Sequence, residues 1–143
     1  MWSGLAGLAE VFKRVRPQLL TFRDERGVEL FDLPDAPRPD PDTPALPRFL
    51  PEYDNLLLSH SDRSRFFEGD LVPKGWVGNL LVDGTYVGSW KIERSKGSVR
   101  LDIELGRKLP RSDLDEVTAE GSSLLNFSDP TVAQRDVRVV LQS

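Results

Sequence analysis

The sequence contains no cysteine, one histidine and one methionine. Without thiols there is no disulfide, no thiol nucleophile and no thiolate metal site. A single histidine does not supply the ligands of a usual zinc site, so neither metal nor cofactor is expected. There is no glycine-rich phosphate loop, no calcium-loop spacing and no G-x-S-x-G nucleophile elbow. No apolar run approaches the ~20 residues that span a bilayer, which predicts no membrane association. Met1-Trp2-Ser3-Gly4 lacks the basic start and apolar stretch of a signal peptide. These absences predict a cytoplasmic bacterial protein. Lysine is scarce too, 5 against 14 arginines, as in proteins from GC-rich genomes.

Excess positive charge is also missing. The net charge is −4, which argues against nucleic-acid binding by the chain as a whole. All the excess acid falls in residues 34–70, with 4 basic and 8 acidic side chains. The two flanks are balanced, so any DNA contact has to come from local patches. The 38% hydrophobic and 29% charged residues suit a folded chain. At 143 residues it holds one ordinary domain or two small ones.

Leu5, Leu8, Phe12, Val15 and Leu19 recur at spacings of three and four, the apolar stripe of an amphipathic helix. Ser3 reads as its N-cap, Trp2 as an apolar staple, and Pro17 ends or bends it near Arg16. Residues 19–23 and 28–33 then read as a hairpin around the polar turn 24–27. Seven of the eleven prolines fall in residues 34–51, which predicts a semi-rigid extended connector. After it, residues 55–58 read as a buried strand or turn. Ser59 and Asp62 have capping-box spacing, predicting a short helix from His60 to Phe67. Asp83-Gly84 between apolar-rich segments 76–82 and 85–93 is the preferred chemistry of a two-residue hairpin turn. Residues 98–105 alternate as a third strand. Ser112 caps an expected helix over 111–126 with a buried stripe of Leu114, Val117, Leu124 and Leu125, and residues 135–142 alternate as a last strand.

The block Pro47-Arg48-Phe49-Leu50-Pro51-Glu52-Tyr53-Asp54-Asn55-Leu56-Leu57-Leu58-Ser59-His60-Ser61-Asp62-Arg63-Ser64-Arg65 joins an apolar run to a dense polar segment. With WSGL at 2–5, LFDLPDAP at 30–37, LVDGTYVGSW at 81–90 and EGSSLLNF at 120–127, it resembles the C-terminal part of a bacterial winged-helix DNA-binding family. Some relatives of that family are DNA glycosylases that release alkylated bases or unhook crosslinks. The resemblance implies an α+β chain in three parts: residues 1–33 as the second half of a winged helix, 34–47 as a proline-rich connector, and 48–143 as a mainly antiparallel, barrel-like or half-barrel β-domain with one helix. It implies upstream winged-helix domains in the same parent protein. It also implies a Gln-x-Gln or Gln-x-Asp motif for the chemistry, whereas this chain has only Gln18, Gln134 and Gln142. A truncated piece of a longer protein and a naturally short paralogue both fit.

Lys13, Arg14 and Arg16 beside the first helix, with Arg23 and Arg26 on the hairpin, are the expected contacts to double-stranded DNA. The plainer alternative is a solvated face balanced by Glu10, Asp24 and Glu25. His60, Arg63 and Arg65 form a second group. His60 invites a catalytic reading because its pKa is tunable. The structural alternative pairs Arg63 and Arg65 with Asp54, Asp62 or Glu68, and phosphate contact is favoured over bond making. Trp76, Trp90 and Tyr86 read as cross-strand packing in preference to base stacking. No catalytic residue is assigned. The expected function is a DNA-binding accessory module without chemistry of its own. The alternative is a structural or protein-interaction domain, and an autonomous enzyme is the least supported.

Overall fold

The computed structural model describes residues 6–60, 62–73 and 77–142, and it forms two units, Met1–Thr43 and Pro44–Ser143. Ser3, Trp2, Leu5, Ser61 and Trp76 lie outside the described residues.

In the first unit, helix α1 spans Leu8–Val15 and passes into a 3-10 turn, Arg16–Gln18, that accommodates Pro17. Strands β1 (Leu20–Arg23) and β2 (Glu29–Asp32) pair antiparallel. Their connection is shaped by Asp24, whose carboxylate accepts from the Arg26 and Val28 amides at 2.9 and 2.8 Å, and by Gly27 at φ 79°. Phe12 meets Phe31 edge-on at 4.6 Å. Arg16 lies over Phe31 and donates to both Glu29 oxygens at 3.0 Å. Even so, no described residue of this unit is buried.

The second unit is built on a five-stranded sheet, ordered β3-β4-β5-β6-β7, with β3 Arg48–Leu50, β4 Gly78–Val82, β5 Thr85–Ser95, β6 Ser98–Leu105 and β7 Gln134–Leu141. The first four strands run antiparallel. Asp83 and Gly84, at φ 48° and 72°, make the tight turn between β4 and β5, both with the positive φ of a type I′ hairpin. Helix α3 (Arg111–Ser128) then carries the chain over so that β7 returns parallel to β6.

Alternation over 135–142 carries no strand direction, and the structure makes this strand the parallel member of a sheet that is otherwise antiparallel. The barrel-like expectation fails: among the described residues β3 and β7 are separate edges and the sheet is open. A parallel neighbour needs a crossover of a dozen residues or more, and the segment 106–133 supplies it. Ser112 does not cap α3. The helix begins at Arg111, as expected, but its N-cap position is Pro110, and the Ser112 hydroxyl, inside the first turn, bonds to Asp113.

The core lies between α3 and one face of the sheet. Leu80, Val87, Val99, Leu101, Ile103, Val117 and Leu125 are essentially inaccessible. Helix and sheet meet closely at Gly121, where a Cβ would stand 2.8 Å from Leu101 and 3.4 Å from Val137. Trp90 lies over Gly78, meets Phe49 edge-on at 5.7 Å and donates its indole N–H to Leu50 O at 3.0 Å. Its role is packing, as is that of Tyr86, which is buried against Phe67.

Candidate nucleic-acid interface

Leu80, Val82 and Val87 belong to the core, so their neighbours Leu81 and Tyr86 turn to the other side of the sheet. Leu81 and Tyr86 are buried there, and Leu57 and Phe66 are buried as well, all four outside the core cluster under α3. These last two residues anchor the segment that the sequence marks out. Helix α2 (Asn55–Leu58) is only one turn long, and Asp54 caps it by accepting from the Leu56 amide at 2.8 Å. Residues 55–58 are therefore neither strand nor simple turn. The expected helix over 60–67 is replaced by a 3-10 turn, Ser64–Phe66. The capping chemistry belongs to Asp54, whereas Ser59 ends α2 and bonds back to Asn55 O, and Asp62 accepts from the Ser64 amide at 3.0 Å.

Between Leu57 and Phe66 the chain forms a loop whose ends are buried and whose top is solvated. Arg63 spans it, donating to Leu57 O at 3.2 Å. His60 is exposed, with its ring 5.5 Å from that of Phe66. Arg65 is exposed on the 3-10 turn, and no hydrogen bond or ion pair holds it among the described residues. The proposed carboxylates are engaged elsewhere: Asp54 caps α2, and Glu68 pairs with Arg107 at 3.5 Å. Tyr53 and Leu58, 60% and 54% exposed, add apolar surface that sequence reasoning did not single out.

In the first unit the expected contacts differ in how far they are neutralised. Lys13 pairs with Glu10 at 2.8 Å, Arg23 with Glu29 at 3.9 Å and Arg26 with Asp24 at 3.7 Å. Arg16 is held by Glu29 and Phe31. Arg14 is exposed and forms no ion pair among the described residues.

A third surface was missed by sequence reasoning. The strand register sets Glu93, Arg100 and Asp136 in one row across β5, β6 and β7, and Lys91, Asp102 and Arg138 in the next. The signs alternate along each row and between rows. Arg100 donates to Asp102 at 2.8 and 3.1 Å, and Lys91 pairs with Glu93 at 2.7 Å. The hydrogen bond from Arg100 holds the Asp102 carboxyl below the usual carboxylate range, and that from Lys91 to Glu93 raises the lysine pKa. A face whose charges cancel so locally offers little to a phosphate backbone.

Among the described residues, no group of three histidine, aspartate or glutamate side chains could hold a metal, and no helix is long and apolar enough to cross a membrane. The geometry offers exposed cations in each of the two units.

A family model described as "DNA glycosylase AlkZ-like" matches residues 1–127 of this chain. No curated protein matches it. Among solved structures, the chain is similar to the Streptomyces sahachiroi DNA glycosylase AlkZ, with a TM-score of 0.57 and 21% identity. That likeness covers 93% of this chain and 36% of the other, so the chain spans about a third of the length of its structural relative.

Proposed function

The chain belongs to the DNA glycosylase AlkZ-like family, and from that premise we propose that it is a DNA-contacting accessory module of a larger base-excision protein, without chemistry of its own. The observation that carries this reading is the loop between Leu57 and Phe66. It is anchored at both ends by buried side chains and presents His60 and Arg65 to solvent without a carboxylate partner among the described residues. Arginine's planar fork of donors suits phosphate oxygens. Arg63 braces the loop with one guanidinium nitrogen and keeps its other donors for the backbone of double-stranded DNA.

The finer architecture follows the same reading. Helix α1 and the β1–β2 hairpin act as the second half of a winged helix, with Lys13, Arg14 and Arg16 on the helix and Arg23 and Arg26 on the wing. Residues 34–47 act as a proline-rich connector, and 48–143 as the C-terminal domain. The apolar side chains of the first unit, from Leu8 at 38% to Leu33 at 63% exposed, support partnership with upstream winged-helix domains of the same parent protein. Removal of a base by a glycosylase needs a group that positions or activates water. In the family that this chain resembles, a paired-glutamine or glutamine–aspartate motif does so, and Gln18, Gln134 and Gln142 form none. The setting is the bacterial cytoplasm, where the chromosome lies.

Affinity should be weak and non-specific, at the weak end of roughly 10⁻⁴–10⁻⁶ M at physiological salt, and steeply salt-dependent. The test is a fluorescence-anisotropy titration with random duplex DNA at low and moderate salt. Arg65→Gln and the double variant Arg14→Glu/Arg26→Glu should each weaken binding and flatten its salt slope. If the unaltered chain fails to bind at low salt, the alternative stands, a structural or protein-interaction domain. Release of a damaged base by the purified chain, lost on His60→Ala, would overturn the non-catalytic reading.

A further inference from the structure

The two edges of the five-stranded sheet are unlike. Strand β3 is three residues long and enclosed by Pro47 and Pro51, a short, proline-flanked edge of the kind that resists pairing. Strand β7 is eight residues long, has only β6 as a neighbour among the described residues, and carries no proline and no lysine. Its outer backbone N–H and C=O groups form a template for another strand. We propose that the occupant is a second copy of this chain, joined β7 to β7 across a two-fold axis to make one continuous sheet.

The charges single out one register. Gln134, Asp136, Arg138 and Val140 share the face that carries Arg100 and Asp102. An antiparallel pair centred on Val137 sets Asp136 opposite Arg138 of the second copy, and Arg138 opposite Asp136 of the second copy. Each row of charges then runs through the junction without a break. Lys91, Asp102 and Arg138 of one copy are followed by Asp136, Arg100 and Glu93 of the other, with the sign alternating at every step. A slip of two residues in either direction brings Arg138 against Arg138 or Asp136 against Asp136, and like charges directly opposite are unfavourable. Within one copy neither Asp136 nor Arg138 closes a hydrogen-bonded ion pair among the described residues, so both remain available. On the other face Val137 meets its own counterpart at the axis, and Val139 meets Arg135.

The test is sedimentation equilibrium of the full chain over a wide concentration series, with the mass rising from 16.1 kDa toward twice that value. Arg138→Asp and Asp136→Arg should each abolish the rise by placing like charges across the axis. The double variant Asp136→Arg/Arg138→Asp should restore it. These positions also neighbour Asp102 and Arg100, so folding is checked by circular dichroism. A second measurement does not depend on the swaps. The chain has no cysteine, so Val137→Cys should form a disulfide-linked dimer under mild oxidation, because directly opposed residues lie within disulfide reach. Ser95→Cys, at the far end of β5, should not. The proposal fails if the chain stays monomeric at every concentration, or if the folded single variants associate like the parent. It also fails if the folded double variant stays monomeric, or if Val137→Cys cross-links no faster than Ser95→Cys.

Discussion

The two units use similar side chains to different ends. The first unit, Met1–Thr43, has an amphipathic helix, a hairpin, aromatic contacts and ion pairs, yet no described residue is buried. The second has a continuous core under α3 with seven side chains below 2% exposure. Burial is the dominant favourable term in folding, and exposed ion pairs add ~0–1 kcal/mol each. The first unit therefore has the local geometry of a fold without its main source of stability, and the second has both. A chain can specify shape in one segment while the stability of that shape comes from elsewhere.

The strongest way to break this contrast is to separate the units. A peptide of residues 1–43 should show little ordered structure by circular dichroism, while a fragment of residues 44–143 should unfold cooperatively in urea. A cooperative transition in the shorter piece would remove the distinction. Next in size is Leu101→Ala, which empties a fully buried site beneath Gly121 and should cost about 2–5 kcal/mol in denaturant unfolding. By comparison Phe12→Ala, at a position 40% exposed, should change the same transition only slightly. Smaller again is Asp54→Ala, which removes the cap of α2 and should cost about 1 kcal/mol. It should also loosen the loop that carries His60 and Arg65, read as faster amide exchange there.

The smallest effect is on acid stability. Hydrogen bonds from Arg94 and Ser128 to Asp129, and from Arg100 to Asp102, depress both carboxyl pKa values below the usual 3.8. A depressed folded-state pKa contributes stability that is present above the unfolded pKa. It is lost as pH falls from about 4 through the lower folded values. Asp129→Asn should therefore flatten the acid limb of a stability–pH curve and leave its slope near neutral pH unchanged.

The parts of the fold legible in the sequence were those written locally. Alternation marked 98–105 as a strand at its observed bounds, Asp83-Gly84 marked the turn between β4 and β5, and helical spacing placed Val117 and Leu125 in the core. The short helix was misplaced because two capping patterns compete over six residues, and Asp54 sits beside the leucines that reward burial. Long-range features were hidden. Nothing near Arg135 says that its strand returns parallel to β6, and Gly121 offers no side chain to flag a close approach. Of the candidate site, the cationic side chains could be read from sequence, but not which were already neutralised. Arg16 and Glu29 are 13 residues apart, and Arg14 and Arg16 only two, yet they differ in partners. The alternating rows on the sheet needed the register of three strands.

The crossover from β6 through α3 to β7 also sets an order of events during synthesis. Strands β4, β5 and β6 are joined by tight turns and can pair as soon as they leave the ribosome. Their row of Val99, Leu101 and Ile103 then has no cover until α3 and β7, up to residue 141, have been made. For that interval the nascent chain presents a bare apolar sheet, the kind of surface that chaperones bind and that aggregates form from. Slow translation through the α3 segment should lengthen that exposure, so the yield of folded protein depends on the pace of that stretch as well as on the stability finally reached.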